Sequence, residues 1–140
     1  MLIELVAALA VAGLVMFLAL PNVPPGTNAA RYHALLSGTA ALLREVRTEA
    51  IVGDTSRRVT FDSRRRAFRA GARLIAVPAD VRIAMASGGQ CNTEAGGISE
   101  IVFRADGTSC GAVLRFAKGN RVDRIRVNWV TGHVEIAAGR

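Results

Sequence analysis

Aromatic side chains and catalytic signatures are both scarce in this chain of 140 residues. Only 5% of the residues are aromatic although 51% are hydrophobic, so the apolar content is mostly Ala, Val, Leu and Ile. The sequence contains no phosphate-binding P-loop, no G-x-S-x-G nucleophile turn and no H-E-x-x-H zinc motif. The two histidines, His33 and His133, have no acidic or nucleophilic residue at motif spacing. We therefore predict that the protein is not an enzyme and has no catalytic residue, cofactor or metal site.

Cysteine is also scarce, with one pair in the C-terminal half, Cys91 and Cys110. No C-x-x-C pattern is present, and two cysteines with two distant histidines disfavour a zinc site. In an oxidising compartment, an even pair in a small domain favours a disulfide that closes a loop of about 20 residues. The alternative is two unpaired thiols, one of them in a flexible loop.

The N-terminal segment has no positive charge before Arg31 and one negative charge, Glu4. Residues 5–20 are uncharged, and a helix over the whole segment reaches roughly 30 Å, about the thickness of bilayer hydrocarbon. A cleaved signal peptide would need a basic start, and an ordinary anchor would gain nothing from burying a glutamate. We therefore favour a third interpretation, in which residues 1–21 form a transmembrane helix that also packs in a filament core, where Glu4 finds a partner.

Proline and glycine separate this segment from the rest of the chain. Pro21 is expected to kink or end the first helix, and residues 22–27 form a Pro/Gly break. The amphipathic pattern of residues 28–52 then predicts a second helix, the first element of a head that spans residues 28–140. The predicted apolar stripe of this helix consists of Tyr32, Leu35, Leu36, Leu42, Leu43, Val46, Ala50 and Ile51.

The hydrophobic period changes to two in the rest of the head, which predicts β-strands over residues 57–137. Alternation places Ile125, Val127 and Trp129 on one face of the penultimate strand. Residues 87–97 are rich in glycine and are predicted to form a loop. The sequence therefore predicts an α+β fold, in which a long N-terminal helix precedes an antiparallel β-sheet head with meander connections.

The chain is strongly basic, with a formal net charge of +7. The arginines that could face an anionic partner lie in a predicted hairpin and in the penultimate strand: Arg57, Arg58, Arg64, Arg65, Arg66, Arg121, Arg124 and Arg126. Such residues can bind nucleic acid or an acidic protein. Few aromatic residues are interleaved with them, so stacking on bases is poorly provided for. We favour a solvated sheet face or a protein contact, and we keep DNA as the alternative partner.

Two groups of residues resemble a known family. The run Leu2-Ile3-Glu4-Leu5, followed by the apolar segment and Pro21, resembles the type IV pilin-like class. The segments 101–111 (IVFRADGTSCG) and 125–134 (IRVNWVTGHV) resemble the GspH/FimT family and are most similar to the H-type minor pseudopilin of type II secretion. Family members often have arginine at the position of His133.

The resemblance implies a pilin-like head in the bacterial periplasm, on a single-pass inner-membrane helix that is incorporated into a pseudopilus. It implies other pseudopilins and inner-membrane secretion components as partners, and it implies that Glu4 pairs with the N-terminal amine of a neighbouring subunit. Mature chains of the class normally begin Phe-Thr before Leu-Ile-Glu, whereas Met1 alone stands before it here. We therefore expect a leader upstream that prepilin peptidase would remove before N-terminal methylation.

The resulting hypothesis is a minor pseudopilin, a structural and assembly subunit of the type II secretion pseudopilus, which exports folded proteins across the outer membrane. The alternative is a FimT-type minor type IV pilin that binds DNA during uptake through its arginine-rich surface. A third class, a signal-anchored periplasmic enzyme, has no set of residues in its favour.

Overall fold

The computed structural model describes residues 28–88, 91 and 93–139, together with residues 3, 4, 6, 7, 10 and 11. The chain divides into two compact units, Met1–Ala30 and Arg31–Arg140. Near the N-terminus, the described positions are helical and exposed, and Glu4 is one of them. The rest of the predicted membrane segment lies outside the described residues, as do Pro21 and residues 22–27. Within the described part of the chain, no helix is long and apolar enough to cross a bilayer.

The amphipathic segment forms one helix, α1, over Asn28–Val52. Thr39 joins its buried stripe because the hydroxyl donates a hydrogen bond to the Leu35 carbonyl at 2.8 Å, which satisfies the polar group within the helix. The buried residues of α1 are Tyr32, Leu35, Leu36, Thr39, Ala40, Leu42, Leu43, Val46 and Ala50.

The prediction that Ile51 belongs to this stripe is wrong, because its side chain is 43% exposed. The helix ends one residue later, in a cap where the Thr55 N–H donates to the Ala50 carbonyl at 3.1 Å. Asp54 has a φ of 44° and occupies the left-handed position that closes such a cap. Ile51 therefore lies where the helix leaves the core.

In the described part of the head, nine strands follow the helix, and all the pairs between them are antiparallel. A first sheet has the order β3-β2-β1-β6-β5, and a second has the order β4-β7-β8-β9. The strands are β1 (Arg57–Asp62), β2 (Ala67–Ala70), β3 (Arg73–Ala76), β4 (Arg82–Ser87), β5 (Thr93–Ala95), β6 (Ile98–Phe103), β7 (Ala112–Lys118), β8 (Arg121–Val127) and β9 (Val134–Ala138).

Consecutive strands pair, as in the predicted meander, within β1–β3, between β5 and β6 and within β7–β9, but β6 also pairs with β1 and β4 pairs with β7. The predicted glycine-rich loop over 87–97 also contains a strand, β5. This strand forms a tight hairpin with β6, which turns at Gly96 and Gly97 with φ values of 76° and 87°. Glycine therefore marks a specific turn at this point, because only glycine adopts such angles without a steric cost.

The core joins the buried face of α1 to both sheets. The rings of Phe61 and Phe68 in the first sheet lie 4.7 Å apart, and Phe68 lies 6.2 Å from Phe116 in the second sheet. The Tyr32 hydroxyl of α1 donates to the Phe116 carbonyl at 3.2 Å. Aromatic contacts therefore connect the three layers, although aromatic residues are few.

Trp129 lies beyond the end of β8, so the prediction that it shares a strand face with Ile125 and Val127 is wrong. The strand ends at Val127 because the Asn128 side-chain oxygen accepts hydrogen bonds from the N–H groups of Val130 at 2.9 Å and Thr131 at 3.1 Å. Asparagine favours such turns. The chain therefore bends away before Trp129, whose side chain is 69% exposed.

Candidate functional site

Two turns that are distant in sequence, Asp106-Gly107 and Thr131-Gly132, lie side by side against the C-terminal part of α1. The Arg47 side chain donates from Nε to the Gly107 carbonyl at 3.2 Å and to the Thr131 carbonyl at 3.1 Å. Both glycines have left-handed backbone angles, with φ of 82° at Gly107 and 64° at Gly132. One guanidinium therefore holds together the two turns that the family resemblance singles out.

Side chains within the first of these turns fix its shape. Asp106 Oδ1 accepts hydrogen bonds from the Thr108 N–H at 2.9 Å and from the Thr108 hydroxyl at 2.7 Å. These donors stabilise the carboxylate and hold the pKa of Asp106 below its usual value. Hydrogen bonds within the turn therefore fix its shape, in addition to the contact with Arg47.

A disulfide joins Cys91 to Cys110, whose Cα atoms are 5.3 Å apart and whose positions are 19 residues apart. Cys110 also pairs with β6, since its N–H donates to the Val102 carbonyl at 3.2 Å. The bridge therefore connects the segment after β4 to the segment that leads into β7.

Beside the two turns lies an open groove of about 1330 Å³. The exposed indole of Trp129 stands on its rim. Its charged lining is mostly basic and consists of Arg47, Arg104, Arg126 and Glu135, and His133 lies among them. The groove floor continues onto the outer face of the second sheet through Ala86 and Val113, which are neighbours in the β4–β7 pairing.

Four exposed arginines project from this outer face, and we call them the basic sheet face: Arg82, Arg115, Arg124 and Arg126. Arg115 lies directly opposite Arg124 in the pairing of β7 with β8. Arg126 lies opposite Glu135 of β9, with 3.6 Å between Nη1 and the carboxylate. A second cavity of about 380 Å³ lies at the far end, next to Arg82 and Arg115.

The structure distributes the eight arginines predicted from the sequence over both sheets and one turn. Arg57 and Arg58 lie in β1 of the first sheet, Arg64, Arg65 and Arg66 lie in the turn before β2, and Arg121, Arg124 and Arg126 lie in β8 of the second sheet.

Five of the eight make contacts within the head. Arg58 pairs with Glu100 at 3.5 Å, Arg65 with Asp62 at 3.8 Å, Arg66 with the Pro78 and Val81 carbonyls, Arg121 with Asp123 at 2.8 Å, and Arg126 with Glu135 at 3.6 Å. The prediction omitted Arg82 and Arg115, which share the outer face of the second sheet with Arg124. Alternation along each strand indicates that these side chains point outward, but only the register places them side by side.

Tyr32 and Asp123 are buried beneath β8, next to the exposed Arg121. Arg121 pairs with Asp123, which is 3% exposed, and its guanidinium lies 5.3 Å from the centre of the Tyr32 ring. Burial, followed by the hydrogen bond and the negative charge of Asp123, raises the pKa of Tyr32 to about 12. The neutral phenol is therefore the form that the folded head favours.

We expect this tyrosine to make the head sensitive to alkali. Its folded pKa lies above the unfolded value near 10, so its contribution to stability is complete below pH 10 and is lost as the pH rises from 10 to about 12. Over that interval the free energy of unfolding should fall by up to about 1.4 kcal/mol per pH unit. Tyr32→Phe cannot ionise and should lose this slope, as measured by thermal unfolding followed by circular dichroism.

The ion pair of Lys118 with Asp80 needs a control. The Lys118 Nζ atom lies 2.7 Å from the Asp80 carboxylate and lowers the pKa of Asp80. Both proteins should therefore carry Lys118→Arg, which keeps the positive charge at high pH. Equal slopes for the tyrosine and phenylalanine proteins would contradict the prediction.

The predicted assembly residue Glu4 is helical and exposed. Its pairing with the amine of a neighbouring subunit stays a prediction, and Pro21 lies outside the described residues.

Neither the models of known protein families nor the curated proteins give a match to this chain. Solved structures do match. The minor pseudopilin EpsH from the Type 2 Secretion System of Vibrio cholerae aligns with a TM-score of 0.58 at 11% identity, over 73% of this chain and 92% of that chain. The type IV minor pilin FimU of Pseudomonas aeruginosa (strain PAO1) aligns with a TM-score of 0.58 at 11% identity, over 80% of this chain and 92% of that chain. In a second crystal form, FimU aligns with a TM-score of 0.52 at 10% identity, over 74% and 90% of the two chains.

The chain therefore has a pilin-like fold, in which an N-terminal helix precedes a head of two antiparallel sheets. The fold is similar to those of EpsH and FimU, and at these identities the likeness concerns the fold. It confirms the α+β, pilin-like fold that the resemblance to the GspH/FimT family implied.

Proposed function

We propose that this protein is a minor pseudopilin, a structural and assembly subunit of a type II secretion pseudopilus. One observation carries the proposal, namely a head similar in fold to EpsH behind an uncharged segment, residues 5–20, that Glu4 precedes. Of a secreted protein, a simple anchor and a filament subunit, only the subunit gives this glutamate a partner. The N-terminal segment would lie in the inner membrane, with the head in the periplasm.

Glu4 would select the position of the subunit in the filament. An unpaired carboxylate in an apolar helix bundle costs several kcal/mol, and pairing with an amine offsets most of that cost. Only the register that brings the N-terminal amine of a neighbouring subunit close to Glu4 is then populated. The ion pair therefore specifies register more than it adds stability. The partners that follow are other pseudopilins and the inner-membrane components of the secretion system.

Replacing Glu4 with alanine should abolish incorporation into the filament while the head stays folded. We expect the secretion of a folded substrate protein to fall by about tenfold or more, because a lost buried pair of a few kcal/mol corresponds to at least that factor. Secretion in a strain that carries the variant, with immunodetection of the subunit in filament fractions, measures both effects. Glu100→Ala removes a carboxylate from the head and should secrete normally. Normal secretion with Glu4→Ala would sink the proposal.

The alternative, a minor type IV pilin that binds DNA, has less support. Five of the eight arginines that it would use make contacts within the head. Base stacking is also poorly served, because aromatic residues make up only 5% of the chain.

A further inference from the structure

Two positive charges lie next to each other on the basic sheet face. Arg115 and Arg124 are direct cross-strand neighbours, and like charges at such positions destabilise a sheet. Within the described residues, the ion pair found for this face is that of Arg126 with Glu135. The face therefore concentrates positive charge where the fold itself derives no benefit from it.

Small apolar side chains form the floor between these arginines. Ala84 lies opposite Arg115 in the β4–β7 pairing, and Ala117 lies opposite Arg82. Short side chains beside long ones leave depressions, and the two cavities of about 1330 and 380 Å³ lie at the two ends of the face. The result is a shallow channel with an apolar floor and cationic walls.

Trp129 gives this channel an anchor at one end. Its indole is 69% exposed, yet its backbone is held by the turn that Asn128 closes and by close packing, because a Cβ at Gly111 would lie 2.9 Å from the Trp129 Cβ. Tryptophan and arginine are the residues most enriched among those that dominate protein–protein binding energy. A large apolar side chain on a turn held by the backbone, beside a mostly basic groove, fits a binding surface better than it fits a solvated turn.

We propose that the basic sheet face, together with the groove beside Trp129, docks an extended acidic segment of a partner protein. Its carboxylates lie between Arg115 and Arg124, where they relieve the like-charge contact, and an apolar side chain packs on Trp129. All the residues involved lie in the head, so this interaction goes beyond filament assembly through Glu4.

A protein segment fits this surface better than a nucleic acid does. The floor is alanine and valine, whereas interfaces with nucleic acid are more polar and wet. Trp129 is a single aromatic side chain, whereas binding along a single strand uses several aromatic side chains to stack successive bases.

The test uses the full chain in detergent micelles and a fluorescein-labelled peptide of alternating glutamate and alanine, about eight residues long, the length of an extended strand that crosses the face. The same peptide with glutamine in place of glutamate is the matched control. Fluorescence anisotropy should show binding of the glutamate peptide only. Arg115→Ala with Arg124→Ala should raise Kd by about tenfold or more, since charge-assisted contacts are lost. Trp129→Ala should also weaken binding.

A second double variant, Arg58→Ala with Arg65→Ala, removes the same charge from the first-sheet side of the head and should leave Kd within about twofold of the parent, because those arginines lie outside the face. Equal losses in both double variants would mean binding by net charge and would overturn the proposal. Tighter binding of a DNA duplex of equal charge, lost with Arg115 and Arg124, would also overturn it in favour of a nucleic-acid surface.

Arg124→Glu separates binding from folding. The new carboxylate faces Arg115 across the sheet, so the thermal midpoint should stay the same or rise while the glutamate peptide no longer binds. Retained peptide binding in this folded variant would contradict the proposal.

Discussion

Gly132→Ala is expected to destabilise the head by roughly 2–5 kcal/mol, one of the largest effects of any single methyl group in the protein. The residue has a φ of 64°, which costs alanine about 1–2 kcal/mol. A Cβ at this position would also lie 2.8 Å from Arg47 Nε and would overlap the Gly107 carbonyl oxygen. Backbone oxygen cannot move aside as a flexible side chain can, so the contact between the two turns must open.

Gly119→Ala is the matched control. Gly119 has a similar φ of 56°, but nothing lies within 4 Å of a Cβ built there. Gly119→Ala should therefore lower the free energy of unfolding only by the cost of a left-handed alanine, about 1–2 kcal/mol. Thermal unfolding of both full-length variants, followed by near-ultraviolet circular dichroism, measures the difference. Equal losses would mean that the close approach of the two turns contributes nothing to the stability of the head.

The sequence predicts α1 well because the evidence for it is local. Apolar positions at helical spacing identify the buried face of residues 28–52, and a window of roughly 11–18 residues is enough to recognise it. The prediction that Ile51 is buried is wrong for an equally local reason, which the apolar periodicity does not reveal. The position of Ile51 is set by the cap around Asp54, which ends the helix at Val52 and leaves this side chain outside the core, although Ala50 is buried.

Strand pairing is harder to predict because it depends on contacts distant in sequence. Alternation identifies β1 and β6 separately, but the pairing of Arg57 with Phe103 joins positions far apart in the chain. Alternation does not indicate which strands pair with each other, so a sequence-based prediction pairs consecutive strands in a meander. The same limit explains why the eight predicted arginines do not include Arg82 and Arg115, since only the register places them beside Arg124.

At Trp129, the side chain of the preceding residue ends a strand that the alternation pattern would continue. The spacing of Trp129 from Val127 continues the alternation, yet Asn128 offers its side-chain oxygen to two backbone N–H groups and ends the strand. Asparagine favours such turns for this reason. Alternation therefore places Trp129 on the same face as Ile125 and Val127, whereas the turn at Asn128 leaves it exposed.

Loss of the disulfide is expected to cost the head about 3 kcal/mol. Cys91 and Cys110 close a loop that spans 19 positions, and in the chain-entropy model a loop of that size restricts the unfolded chain by about this amount. Cys91→Ala with Cys110→Ala is the suitable change, because both side chains are buried, at 3% and 7% exposure, and alanine avoids a buried hydroxyl. Urea unfolding of the full chain, followed by circular dichroism, measures the difference.

The loss should also affect the groove beside Trp129. Gly111 follows Cys110 directly and packs under Trp129, and the Ser109 N–H donates to the Trp129 carbonyl at 3.0 Å. Loosening Cys110 should therefore change the fluorescence of Trp129, the only tryptophan, before global unfolding. A reducing agent should lower the stability of the parent protein and leave the double alanine variant unchanged. If the oxidised and reduced parent unfold at the same urea concentration, the bridge does not stabilise the head, and the pairing of β6 with β1 and with Cys110 holds this region without it.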